Sequence, residues 1–209
     1  MTPTPKFRRR KADRPTEIVQ AALAVFAEKG FAGARLDEIA ARAGVSKGAL
    51  YLYFATKEEM FRAVVEQAVR PNLVIVQQMA AHELAFPELA RSTARLMAHV
   101  AATSPLGGIV KMVIAEAGNF PELARIWYER TIGPVLEVLV SVITRAQARG
   151  ELRPGDARQY ALSLVAPTLV GVIWRDTFTP VGAPPFDLPA LAEQHVETLL
   201  RGMMLEPTP

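Results

Sequence analysis

The chain has 209 residues and a mass of 22.8 kDa, half of it hydrophobic, with 24 Lys and Arg against 21 Asp and Glu. It contains no cysteine, which excludes disulfides and thiolate metal sites. The most apolar stretch, Ala161 to Trp174, is broken by Ser163, Pro167 and Thr168 and falls short of the ~18 residues of a membrane span. The N-terminus lacks the continuous apolar run of a secretory signal, so a cytoplasmic protein without membrane attachment is expected.

The net charge of +3 is distributed unevenly. Residues 1–14 (Lys6, Arg8, Arg9, Arg10, Lys11 and Arg14 against Asp13) net +5, residues 15–70 net zero and residues 71–209 net −2. The first 14 residues therefore read as a flexible basic arm for nucleic acid, or as a merely solvated cluster. As an arm neutralising six phosphates it would give a log–log salt slope on the order of −5.

Beyond the arm, helical periodicity dominates and hairpin patterns are absent, so the expected class is all-α with about nine helices. Ile18, Ala21, Ala22, Val25 and Phe26 mark a first helix that starts at Pro15-Thr16 and stops at Gly30. Leu36, Ile39, Ala40 and Ala43 mark a short second helix ending at Gly44. Ser46 is an N-cap for a third that runs to about Phe54. Thr56-Lys57-Glu58-Glu59 reads as a capping box, with Glu59 reaching back to the Thr56 amide, for a fourth that continues past Pro71. Further helices are expected over 87–102, 105–117, 121–149, 156–177 and 187–204, with Asp156 as a cap and a loop over 179–189.

Two short helices joined through Gly44-Val45-Ser46 predict a helix-turn-helix. At 100° per residue, Leu50 and Phe54 share the inward side of the third helix, and Gly48, Tyr51 and Leu52 face outward. A glycine, a leucine and a tyrosine suit a groove floor better than a solvated face, although Tyr51 and Tyr53 could equally be packing residues and Lys57 an exposed neighbour of the cap.

Residues 16–61 resemble the DNA-binding domain of the TetR family of transcriptional regulators, in the runs AALAVFAEKGF, DEIAARAGVSKGALYLYF and TKEEMF. The resemblance implies an all-α homodimer with a helix-turn-helix domain over 15–60 and a ligand-binding and dimerisation domain over 61–209. It also implies a repressor released from a palindromic operator in double-stranded DNA by a small molecule. Ser46, Lys47, Gly48, Tyr51, Tyr53 and Lys57 match the family's DNA-contacting positions, with Lys47 and Gly48 at the groove and Tyr51, Tyr53 and Lys57 on phosphates. Ala34 stands where the family commonly has Thr, and Arg35 is expected to supply the phosphate contact instead. Leu52 cannot hydrogen-bond a base edge but can pack on a thymine methyl.

In the second half, Leu96, His99, Ile109, Met112, Glu116, Trp127, Tyr128 and Thr131 are expected to line a pocket for a small, largely apolar effector, the other reading of these stripes being plain core. No cofactor or metal is expected. The helices over about 156–177 and 187–204 carry broad apolar faces (Leu162, Val165, Leu169 and Val170 on one, Leu191, His195, Val196, Leu199 and Leu200 on the other) and read as the dimer interface, or as core within the monomer. The three histidines, His82, His99 and His195, form no metal-ligand pair and no nucleotide or hydrolase motif is present, so an enzyme is not expected. The alternative is a helical small-molecule-binding protein that has lost operator binding.

Overall fold

The start and stop signals fall largely where helices begin and end in the computed structural model, which describes residues 6–82, 84–104 and 106–205, with side chains described from Arg14 onward except at Val69. Ten α-helices are present among these residues: α1 (Lys6–Gly33), α2 (Leu36–Arg42), α3 (Lys47–Tyr51), α4 (Lys57–Ala81), α5 (Phe86–Thr103), α6 (Leu106–Glu116), α7 (Pro121–Trp127), α8 (Gly133–Ala148), α9 (Ala157–Thr177) and α10 (Leu188–Met203). Extended pairing among them is limited to one isolated bridge between Leu152 and Met204.

Three features differ from the sequence reading. The expected arm lies partly outside the described residues: residues 1–5 are not among them, while from Lys6 the backbone is already helical, with Pro15 inside α1 rather than at its start. Proline there forgoes one intrahelical hydrogen bond and crowds the carbonyl four residues before it, a cost of about 3 kcal/mol. Second, the single helix expected over 121–149 is divided by a π-helical turn, Tyr128–Ile132. Pro134, two residues beyond it, has no amide for the regular ladder, and a Cβ at Gly133 would stand 3.2 Å from the Tyr128 carbonyl oxygen, so the register widens here. Third, Ala157–Val181 is long and apolar enough to cross a membrane by length and composition, although the stretch contains Pro167.

The chain divides into two compact units, Met1–Ala68 with Gly108–Trp127, and Val69–Gly107 with Tyr128–Pro209. A boundary at residue 60 is thus not where the chain separates. Helices of seven and five residues, as α2 and α3 are, cannot enclose a core with α1 alone. The first unit fills it by borrowing Ile109, Met112, Val113, Leu123, Ile126 and Trp127, all buried, from α6 and α7. At its centre Phe26, Phe31 and Phe61 pack with centroids 5.6–6.0 Å apart, and Phe120 packs on Phe31 at 5.2 Å.

The second unit is built from the C-terminal part of α4 with α5, α8, α9 and α10. Its core joins Phe86, Leu89 and Ala90 to Leu139, Val142, Ile143, Ala161, Val196, Leu200 and Met203. The cap read from the sequence for α9 is in place: the Asp156 carboxylate accepts from the amides of Arg158 and Gln159. After α8 the chain turns through Gly150 (φ 73°), whose amide bonds Gln147 O while that of Glu151 bonds Ala146 O. The Glu151 carboxylate then accepts the Phe86 amide at the start of α5 and the Arg149 Nε, which together hold its carboxyl below the ordinary value, the arginine contributing most.

Candidate DNA-binding site and effector domain

The joint between α2 and α3 is closed by backbone geometry that only the residue at position 44 makes inexpensive. Gly44 takes φ 65°, its amide bonds Ala41 O and the Val45 amide bonds Ala40 O, the paired pattern that ends a helix on a left-handed residue. Ser46 restarts the chain, its hydroxyl accepting from the Ala49 amide at 3.2 Å. Leu50 is fully buried, which leaves Ser46, Lys47, Gly48, Tyr51, Leu52 and Tyr53 on the solvent side, with Leu52 85% exposed. A Cβ at Gly48 would meet nothing within 4 Å, so this face is open to close approach. The helix is shorter than expected, since its last turn tightens: Tyr53 and Phe54 amides both bond Leu50 O.

Charge holds the two helices in place. Arg42 donates to both Glu28 carboxylate oxygens at 2.6 and 2.8 Å, and Lys29 to Glu38 at 2.8 Å, tying α2 to α1. Lys47, the expected base-contacting group, pairs with Asp37 on α2 at 2.8 Å. That hydrogen bond holds the Asp37 carboxyl below its ordinary value and raises Lys47. Ala34 is buried, and Arg35, exposed, is the N-cap of α2 without a side-chain cap bond, in accord with the missing threonine.

Lys57 departs from its expected role on phosphate. Its Nζ donates to Phe31 O at 2.6 Å and Ala34 O at 3.3 Å, and lies 4.5 Å from the centre of the Phe31 ring. The cause is the break in α1 at Gly30 (φ 71°, ψ 175°), which strands peptide groups of the following turn. Lys57 takes the carbonyls and Glu116 takes the amides: its carboxylate accepts from Phe31 N at 2.8 Å and Ala32 N at 2.7 Å. The capping box is shifted too, with Glu59 accepting the amide of Ala55 rather than of Thr56, while Thr56 Oγ1 accepts that of Glu59.

The expected effector residues are not brought together in one unit. Ile109, Met112 and Trp127 are buried in the first unit, where Glu116 is engaged as described, so these four serve the DNA-binding module as core and clamp. Leu96, half-buried, and His99, exposed, lie on α5 in the second unit with Tyr128, which is exposed, and Thr131, whose hydroxyl is buried without a hydrogen-bond partner. The second unit instead holds a small apolar cavity of about 20 Å³, room for one water, lined from α5, α8 and α9 by residues such as Phe86, Thr93, Met97 and Leu164. The sequence offered no signal for it beyond apolar periodicity, which does not distinguish a lining from a packed core.

The interface helices are corrected in part. In α10, Val196 and Leu200 belong to the core of their own unit, and Leu191, His195 and Leu199 are half-buried, with His195 Nε2 2.9 Å from Ser163 O. In α9, Leu162, Leu169 and Val170 are exposed, as are Phe178 and Phe186 beside Trp174.

A three-helix head with an open third helix, followed by an all-helical second unit, defines a helix-turn-helix transcriptional regulator. Residues 18–64 match the bacterial regulatory proteins of the tetR family, and residues 88–202, more than half of the chain, match the C-terminal domain of AefR-like transcriptional repressors. The chain belongs to the TetR family of bacterial transcriptional regulators. YfiR, an uncharacterized HTH-type transcriptional regulator of Bacillus subtilis, is 36% identical over 81 residues, 38% of this chain and 40% of the relative. The chain thus spans less than half the length of that curated relative. The structure of a TetR-family regulator from Mesorhizobium loti is 27% identical with a TM-score of 0.75, covering 94% of this chain and 99% of that one. SmeT in complex with triclosan shares the fold at 22% identity, with a TM-score of 0.75 over 94% and 99% of the two chains.

Proposed function

We propose that the protein is a cytoplasmic, non-enzymatic repressor that binds a pseudo-palindromic operator as a homodimer and is released from it by a small effector held in its second unit. The observation that carries the DNA contact is the outward side of α3 and its flanking residues: Ser46, Lys47, Tyr51, Leu52 and Tyr53 are exposed around an unobstructed Gly48, the tyrosines offering hydroxyls to phosphates. Leu52 supplies apolar contact and Lys47 the one cation on this helix, so sequence is read through few groups and phosphates supply most of the affinity. The apolar lining of the second unit's cavity, and the triclosan bound by SmeT, support an effector of largely apolar chemistry, for which the cavity, with room for one water, would have to open. The exposed apolar side chains of α9 support the homodimer, whose symmetric half-sites would lie about one or more turns of DNA apart. An effector acts by binding the DNA-incompetent state more tightly.

Labelled DNA from the region flanking the protein's own gene tests the reading. A gel shift at nanomolar protein, reversed by an effector, is the expected result. Absence of any shift, with small-molecule binding retained, would instead identify a ligand-binding protein without an operator.

A further inference from the structure

The second unit carries a basic bay whose lining includes no residue of α3, α9 or α10. It encloses about 270 Å³ between the C-terminal end of α4, at Ala80 and His82, the following Leu84, and the last turns of α8, at Arg145 and Arg149. Leu89 and Val142 form part of its wall, and the same two side chains line the apolar cavity that includes Thr93 and Met97. A charged bay and an apolar cavity therefore share one partition of two aliphatic side chains.

The two guanidiniums differ in what they already hold. Arg149 Nε is bonded to the Glu151 carboxylate at 2.5 Å. Arg145 donates to neutral oxygens, Ser141 Oγ at 3.2 Å and Ala80 O at 2.7 Å. A guanidinium has five N–H donors in a planar fork suited to a carboxylate, so these two bonds fix Arg145 in place without neutralising it. His82 is also held, its Nδ1 2.7 Å from Gln78 O. The bay thus presents a fixed cation beside an apolar wall. Its volume lies just under the ~300 Å³ at which drug-sized sites begin, which fits a small amphipathic molecule.

We propose that this bay binds a medium-chain carboxylate, its anionic head on Arg145 and its chain along Leu84, Leu89 and Val142. The proposal rests on reading the second unit as the effector domain and names the chemical class of the effector.

Calorimetric titration of the full-length protein with sodium octanoate, 1-octanol and inorganic phosphate tests it. Octanoate is expected to bind at least tenfold more tightly than either. Arg145→Gln should bring octanoate to the level of octanol and leave octanol unchanged, and Arg145→Lys should recover part of the difference. Should Arg145→Gln not fold, Leu84→Glu, which adds a negative charge to the wall of the bay, should weaken octanoate more than octanol. Octanol or phosphate binding as tightly as octanoate, full octanoate affinity in both Arg145→Gln and Leu84→Glu, or no octanoate binding below millimolar concentration would overturn the proposal. The gel shift separates the two readings: octanoate that binds without releasing operator overturns its role as effector and leaves the site, whereas an intact, operator-binding protein that ignores octanoate overturns the site alone.

Discussion

Lys47 shows how a residue suited to DNA can be held in reserve. It stands at the start of the outward helix, yet its ammonium is bonded to Asp37 at 2.8 Å. Both side chains are more than half exposed, so the pair is screened by solvent and is exchanged for a phosphate or base edge at little cost. If Lys47 contacts DNA as proposed, Asp37 competes with DNA for it and lowers affinity for any sequence, operator or not. Asp37→Asn should therefore strengthen binding to non-operator DNA several-fold and steepen the log–log salt slope by about one, as one more phosphate contact would. Fluorescence anisotropy over a salt series measures both. An unchanged slope would show that Lys47 remains on the protein when DNA is bound.

At the scale of elements, the turn that sets α2 against α1 depends on two side chains far away in sequence. The Gly30 break leaves amides that donate to the Glu116 carboxylate and carbonyls that accept from the Lys57 ammonium. A Cβ at Gly30 would lie 2.3 Å from Glu116 Oε1, so the glycine also makes room for the carboxylate. Glu116→Ala strands the Phe31 and Ala32 amides and should cost about 1–3 kcal/mol of stability. Amide hydrogen exchange should accelerate at Phe31 and Ala32 first, and operator affinity should fall with it. Because both groups hold the same turn, adding Lys57→Met to Glu116→Ala should cost less than the two separate losses combined, which a double-mutant cycle reads directly.

The junction at Glu151 yields a dependence on pH. Its carboxyl is held below the ordinary value of 4.5, chiefly by Arg149 and also by the Phe86 amide. A lowered value means the ionised form favours the folded state, so its stabilisation is complete above about pH 4.5 and is lost as the pH falls through the lowered value. Glu151→Gln should lower the melting temperature at pH 7, and the gap from the native protein should close on acidification below pH 4.5.

What was legible in the sequence follows from the range of the forces involved. Gly44, Ser46 and Asp156 act on peptide groups within five residues, so the helix-turn-helix and most helix ends could be read directly. Leu50 inward and Leu52 outward followed from helix angles alone. Glu116 and Lys57 were misread because their partners lie 85 and 26 residues away, and a carboxylate near an apolar stripe looks the same in sequence whether it meets a ligand or two amides. The π turn escaped because Pro134 is also acceptable in the first turn of a helix, which gave no reason to divide the stretch there. The unit boundary escaped because α6 and α7 lend their apolar faces to a module whose own short helices cannot fill it.

At the scale of the whole molecule, α9 is the proposed seam of the homodimer. Its composition is apolar nearly all round, which predicts burial on every side, but within its unit only Ala161, Gly171 and Val172 are buried. Leu162, Ala166, Leu169 and Ile173, spaced at four, three and four residues, form a stripe whose Leu162 and Leu169 are 58% and 43% exposed. That spacing is the seam of two packed helices, and a second copy presenting the same stripe would cover it by symmetry. The same helix is apolar and long enough for a bilayer, so plain aqueous buffer without detergent is the condition that discriminates. There, light scattering should give twice the chain mass of 22.8 kDa. Leu169→Asp places a charge in the seam at a position already partly in water, which spares the fold and opposes pairing. The variant should run at the mass of one chain with its circular dichroism unchanged. Its operator affinity should fall steeply, because each head alone then holds one half-site with half the phosphate contacts. A variant that stays at twice the mass and binds operator normally would place the dimer seam on another surface.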